Sequence, residues 1–135
     1  MPGLMADNNV EGHLKDLVEL LIRGTWGWLW DLLKIHIETF ETLGLARNSP
    51  DLIVWQTCQR CGVILFTGNR NEEGPESLEA AIRTLNQLDS LPVITLSNPT
   101  RFGWDRDFQE RVAAKLMEYL VYLDDHRGAG RLYVP

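Results

Sequence analysis

VILFTGNRNEEGPESLEAAIRTL, Val63 to Leu85, is the stretch that decides the fold. Its first five residues are a continuous apolar run with no polar alternation, the pattern of a strand covered on both faces inside a parallel sheet. A polar loop follows, and a helix opens near Pro75 and Glu76 with Leu78, Ala81, Ile82 and Leu85 as its apolar face. In a strand–loop–helix unit of this kind, chemistry collects beyond the carboxyl end of the strand. The first polar side chains there are Asn69, Arg70 and Asn71, amides and a cation rather than paired carboxylates.

The same alternation runs outward in both directions. Leu4 to Ala6 forms a short apolar strand ending at Asp7, followed by a helix whose Leu14, Leu17, Val18 and Leu21 recur at spacings of three and four. Gly24 interrupts it, and in WGWLWDLL, Trp26 and Trp30 share one helical face while Trp28 points nearly opposite, so this segment is expected to be covered on two sides. Lys34 to Phe40 (KIHIETF) alternates and is β-branched, the pattern of a strand near a sheet edge. Asn48-Ser49-Pro50-Asp51 carries helix-start chemistry, with Ser49 as cap, Pro50 at the first helical position and Asp51 on the positive end of the dipole. That helix presents Val54, Trp55 and Cys58 and stops at Gly62.

Downstream, Leu91 to Leu96 reads as another buried strand with Pro92 at its start. SNPTRFGWDRD is a polar-aromatic loop, and Asp107 to Leu123 is the longest helix, with Val112, Leu116, Tyr119, Leu120 and Leu123 inward. Arg131 to Val134 closes as a strand. Alternating strands and helices over 135 residues, without repeats or a low-complexity linker, predict one α/β domain spanning 1–135. The expected architecture is a three-layer α/β/α sandwich around a mostly parallel sheet of four or five strands.

A formal net charge of -6 argues against a general nucleic-acid coat or an anionic-membrane binder. It leaves room for a nuclease that gathers a few cations around an acidic, metal-filled cleft. No apolar run approaches the roughly 18–20 residues that span a bilayer. MPGLMADNNVEG lacks a basic region followed by an apolar one, so no signal peptide is expected and the expected location is cytoplasmic. The two cysteines form CQRC, Cys58 to Cys61, at the carboxyl end of a helix, where the dipole disfavours a thiolate. His13, His36 and His126 show no ligand spacing that would complete a zinc site. Structural thiols are the expected role, with a redox pair as the sharper alternative.

With parallel strands, carboxyl ends and helix starts share one rim. Asp7 and Asn8, the loop from Asn69 to Asn71, Asn98, Glu11 and Asp51 would converge there. Hard oxygen donors suit magnesium or manganese, and Arg70 and Arg101 supply phosphate contacts at the same rim. Each Asp or Asn taken alone is more commonly a turn or cap residue.

ADNNVEG (Ala6–Gly12), LGLARNSPDLIVWQTCQRCGVILFTGNRN (Leu43–Asn71) and LPVITLSNPTRF with the closing GRLYVP resemble small stand-alone PIN-like proteins of bacteria. The resemblance covers most of the chain. That superfamily includes magnesium-dependent ribonucleases, among them the toxin halves of toxin–antitoxin pairs. The resemblance implies a magnesium or manganese cofactor, an RNA substrate, and a catalytic set of Asp7, Asp51, Asn69 and Asn71. Within that set Asp7, Asp51 and Asn69 would hold metal, and Arg70, Arg101 and Asn98 would contact phosphate. Better-preserved relatives read threonine, any residue, aspartate, any residue, aspartate after the third strand; here the segment is Thr67-Gly68-Asn69-Arg70-Asn71. Both acids stand as amides, which still ligate a hard cation but carry no charge and cannot serve as a general base. Glu72, Glu73 and Glu76 are the acids near enough in sequence to reach back.

Three readings therefore stand side by side. One is a PIN-like ribonuclease with a charge-depleted site. Another is a catalytically inactive PIN-like binding module, acting as a homodimer or on a protein partner through Trp26, Trp28 and Trp30 and through exposed aromatics such as Phe102 or Trp104. The third is a thiol-dependent redox protein using Cys58 and Cys61.

Overall fold

In the computed structural model, which describes residues 2–68 and 77–135, five strands form one sheet. They are β1 (Gly3–Ala6), β2 (His36–Glu38), β3 (Val63–Thr67), β4 (Val93–Leu96) and β5 (Arg131–Val134), in the order β2-β1-β3-β4-β5. Every neighbouring pair is parallel, so the sheet is parallel throughout. The described helices are α1 (Glu11–Arg23), α2 (Gly27–Leu33), α3 (Asp51–Cys61), α4 (Leu78–Leu85), α5 (Pro99–Phe102), α6 (Arg106–Val121) and α7 (Leu123–His126).

Strand parity divides the core. Leu4, Ala6, Ile64, Phe66, Ile94 and Leu96 point to the layer that contains Leu14, Leu17 and Leu21 of α1 and Val112 and Leu116 of α6. Met5, Val63, Leu65 and Val93 point to the opposite layer, against Val54, Trp55 and Cys58 of α3 and Leu78, Ala81 and Ile82 of α4. This is the α/β/α sandwich expected from the continuous apolar runs, because only strands covered on both faces need apolar side chains at odd and even positions alike. The strand order reverses direction between β1 and β3, and a ligand crevice opens at such a switch point.

Local chemistry sets the ends of the elements. Gly62 terminates α3 at φ 68°, a left-handed position that a residue with a Cβ occupies only at a cost. Ser77 Oγ accepts the Ala80 N–H at 3.1 Å to open α4, and Asp105 Oδ1 accepts the Phe108 N–H at 3.1 Å to open α6. Arg131 on β5 reaches Glu79 on α4 at 2.9 Å and Thr95 Oγ1 on β4 at 2.5 Å, with the arginine side chain only 8% exposed.

Several expected boundaries move. The strand expected over Lys34–Phe40 shrinks to β2, because Lys34 turns left-handed at φ 55° to close α2 and Thr39 and Thr42 exchange turn hydrogen bonds. Pro50, not Ser49, occupies the cap position of α3, and no side chain bonds there. β4 begins at Val93 rather than at Leu91 or Pro92. The expected loop Ser97–Asp107 contains the one-turn helix α5 and gives way to α6 at Arg106, and the long helix breaks at Tyr122. The tryptophan segment is covered on one side: Trp30 is buried and Trp26 half-buried on the core, while Trp28 is 70% exposed. Phe102, expected at the surface, is buried, whereas Trp104 is exposed. The expected helix start at Pro75 and Glu76 lies outside the described residues.

Candidate functional site at the carboxyl rim

Asp7 is the residue that leaves β1. Its N–H donates to the Phe66 carbonyl at 2.8 Å, so the β1–β3 ladder runs one step past Ala6 and then opens. One carboxylate oxygen accepts the Asn8 N–H at 2.8 Å and the other accepts the Thr67 hydroxyl at 3.2 Å. Both bonds fix the carboxyl group at the β1/β3 mouth. Burial raises the Asp7 pKa above the ordinary carboxylate value, and the charges of Asp51 and Glu11 raise it further, against the Asn8 and Thr67 hydrogen bonds.

Asp51 arrives from a different βα unit. As the first residue of α3 it sits on the rim, half-buried, and its Oδ2 accepts the N–H of Leu78, the first residue of α4, at 3.3 Å. The topology thus delivers two carboxylates to one rim, close enough for the Asp51 charge to resist ionisation of Asp7. Glu11 stands beside them but is held by Arg47 at 2.5 Å.

Arg47 is the part of the rim that sequence patterns did not single out. Its guanidinium takes both oxygens of Glu41 at 2.7 and 2.9 Å, donates to Asn8 Oδ1 at 3.0 Å, and lies over the Phe40 ring. Asn8 returns a bond from Nδ2 to the Arg47 carbonyl at 2.7 Å. This clasp fastens the non-repetitive chain before α3 to the turn after β1. Residues in such a segment follow no helical or strand period, so pattern reading has nothing to register there.

The other expected site residues have local partners. Asn98 Oδ1 accepts the Arg101 N–H at 3.0 Å and caps α5. Arg101 pairs with Asp105 at 2.8 Å and lies over the Phe108 ring, so a phosphate competes with a carboxylate already in place. His13 donates from Nε2 to the Pro99 carbonyl at 3.1 Å, tying α1 to the loop after β4. Gly68 lies in the same joint: a Cβ there would fall 3.1 Å from Pro99 Cγ and 3.2 Å from Val10 Cγ1. Asn69, Arg70, Asn71, Glu72, Glu73 and Glu76 lie outside the described residues.

The donor chemistry suits a small hard cation. Magnesium is commonly held by one or two carboxylates with water and substrate phosphate completing its shell, rather than by a full protein cage. Asp7 and Asp51 supply that number, and their mutual repulsion is what a dication would relieve. Among the described residues no group of three or more His, Cys, Asp or Glu has metal-holding geometry. Cys58 and Cys61 are free thiols; Cys58 is buried and Cys61 exposed. Burial, with smaller contributions from Cys61 and Asp7, pushes the Cys58 pKa up to about 12, the opposite of an activated thiol.

Compared with family models, with curated protein sequences and with solved structures, the chain shows no match in any of the three.

Proposed function

We propose that the protein is a PIN-like, magnesium- or manganese-dependent ribonuclease of the toxin type, working with a charge-depleted acidic site. The observation that carries this reading is the meeting of Asp7 and Asp51 at the β1/β3 switch point, where the Asp51 charge helps raise the Asp7 pKa. A bound dication would lower the pKa of a water molecule and offset charge on the scissile phosphate. Asp7 and Asp51 would hold that cation, with Asn69 and Asn71 as neutral oxygen donors. The Asn8 N–H and the Thr67 hydroxyl hold the Asp7 carboxylate at the carboxyl end of β1, and the Leu78 N–H holds that of Asp51 at the start of α3. Arg47 neutralises Glu11, which limits the repulsion a phosphate meets on approach. Arg70 is the phosphate contact in this scheme, because Arg101 and Asn98 are engaged with Asp105 and the α5 backbone.

The test is cleavage of a broad RNA panel with magnesium or manganese. Wild-type cleavage should fall at least ~100-fold in Asp7→Asn and in Asp51→Asn, the loss expected when a metal-activated water goes. A wild-type protein that cuts no RNA under either metal overturns the proposal.

One observation favours a second reading, the inactive binding module. Trp28 and Leu32, one turn apart on α2, are 70% and 64% exposed, and Ile22 of α1 is exposed as well. Apolar side chains of this size gathered outside the core commonly mark a protein interface. Under this reading Trp28→Ala abolishes capture of a protein partner while Asp7→Asn leaves it intact.

A further inference from the structure

The strand at one edge of the sheet is short and open. β2 contributes only His36, Ile37 and Glu38, and among the described residues their main chain makes no hydrogen bond beyond the β1 ladder. Such an edge presents outward N–H and C=O groups to any strand that approaches. Between β2 and α1 lies a cleft of about 270 Å³, floored by Leu14, Val18 and Ile37, with Ile37 47% exposed. That volume falls below the usual range of a small-molecule pocket and suits an inserted side chain. The margin is acidic: Glu11, Glu19 and Glu38 border the cleft against Lys15. Arg47 meets the charge of Glu11. Glu19, Glu38 and Lys15 have no ion-pair partner among the described residues, so two unpaired carboxylates stand against one unpaired ammonium. The hydrogen bond that Glu38 receives from the Thr42 hydroxyl, at 2.6 Å, brings no charge.

We infer that the β2 edge takes a cationic, extended segment of a protein partner, which adds as a sixth strand and sets an apolar side chain into the cleft between flanking lysines or arginines. The register of β2 specifies that pattern. Ile37 pairs with Leu4 and Glu38 with Met5, and those two side chains enter opposite core layers. Ile37 therefore faces the cleft, while Glu38 lies on the other side of the sheet, where its Cγ would be 3.1 Å from a Cβ added at Gly3. An added strand keeps the same alternation. Its residue opposite Ile37 lies on the cleft side and is apolar, and the next residue lies beside Glu38, where an opposite charge is stabilising. Glu19 at the cleft margin draws a second cation on the other face. The formal net charge of -6 attracts a basic partner and disfavours a second copy of this chain, which would bring the same acidic excess. Main-chain bonds supply the affinity of such strand addition and the alternate side chains its specificity. A ladder of three residues makes a small seam, so the association belongs to the weak, transient class.

The test is fluorescence anisotropy on the full chain with a labelled, strand-length peptide of alternating lysine and leucine. Wild type should bind it saturably, and at least about tenfold more tightly than peptides alternating lysine with glycine or glutamate with leucine. Methylating alternate backbone nitrogens of the lysine–leucine peptide, on the edge that meets β2, should abolish binding. Glu19→Lys and Glu38→Lys should each weaken it about fivefold. Asp125→Lys makes the same change in net charge on the exposed side of α7, away from this edge, and should leave the Kd unchanged. The inference fails if the lysine–leucine peptide does not bind, if the lysine–glycine peptide binds as tightly, if the methylated peptide still binds, or if Asp125→Lys weakens binding as much as Glu19→Lys and Glu38→Lys do.

Discussion

Asp7 stores a cost that a purely structural carboxylate would not. Its folded pKa is raised above the unfolded value, so protonation favours the folded state. That contribution is present in full below the unfolded carboxylate range and is lost as pH rises through the raised value. At neutral pH the ionised group therefore opposes folding, and Asp7→Asn should stabilise the protein. The amide can still accept from Asn8 N–H and donate to the Thr67 oxygen, so the mouth of the crevice survives the change. Urea unfolding at neutral pH checks this, and the gain should shrink as pH falls toward the ordinary aspartate value of about 3.9. A destabilised Asp7→Asn would mean that the carboxylate is a structural anchor. Cys58 and Cys61 separate equally cleanly: one thiol per chain should react with a disulfide reagent in the native state, and both after unfolding. The shared rim of Asp7 and Asp51 was legible because strand ends and helix starts lie on one side of any parallel sheet. Arg47 was not, since its partners Glu11, Glu41 and Asn8 meet it through loop geometry that sequence spacing does not encode.

Among the elements, β3 was readable to the residue because a buried parallel strand is an unbroken apolar run, and β5, a part-exposed edge strand, because Gly130 and Pro135 punctuate it. β2 was overestimated because alternation in KIHIETF continues past the point where Thr39 and Thr42 take the chain into a turn. The end of α3 was legible through Gly62, whose left-handed φ of 68° sits in open space. Gly62→Ala should therefore act by backbone strain alone and destabilise by about 1 kcal/mol, with the rest of the structure unchanged by circular dichroism. The α5 turn escaped notice because Asn98-Pro99 signals a loop and a helix start alike, and one turn has no periodicity to settle the matter. Phe102 was misplaced for the same reason, since α5 swings it under α1 toward His13.

At the scale of the whole molecule, the α4 layer and the β5 edge are joined by the Glu79–Arg131 pair, whose arginine is almost wholly enclosed. Removing the carboxylate takes one charged partner from a nearly enclosed cation that also bonds Thr95 Oγ1, so Glu79→Ala should destabilise the protein, read as a lower urea midpoint. The sandwich architecture followed from the alternation of apolar runs with helical periods, whereas the strand order and the switch point depend on how the crossovers pack, which no single segment states. The proposed function places a divalent cation at Asp7 and Asp51, beside that switch point. A ligand that binds only the folded state raises its stability by RT ln(1 + [L]/Kd), about 2.7 kcal/mol at a hundredfold excess over Kd. The most direct measurement is thermal unfolding of wild type and Asp7→Asn over a manganese titration. Wild type should gain stability along that curve, while Asp7→Asn should start higher without metal and stay flat. A wild type that ignores manganese, or an Asp7→Asn variant that responds just as strongly, would contradict the site.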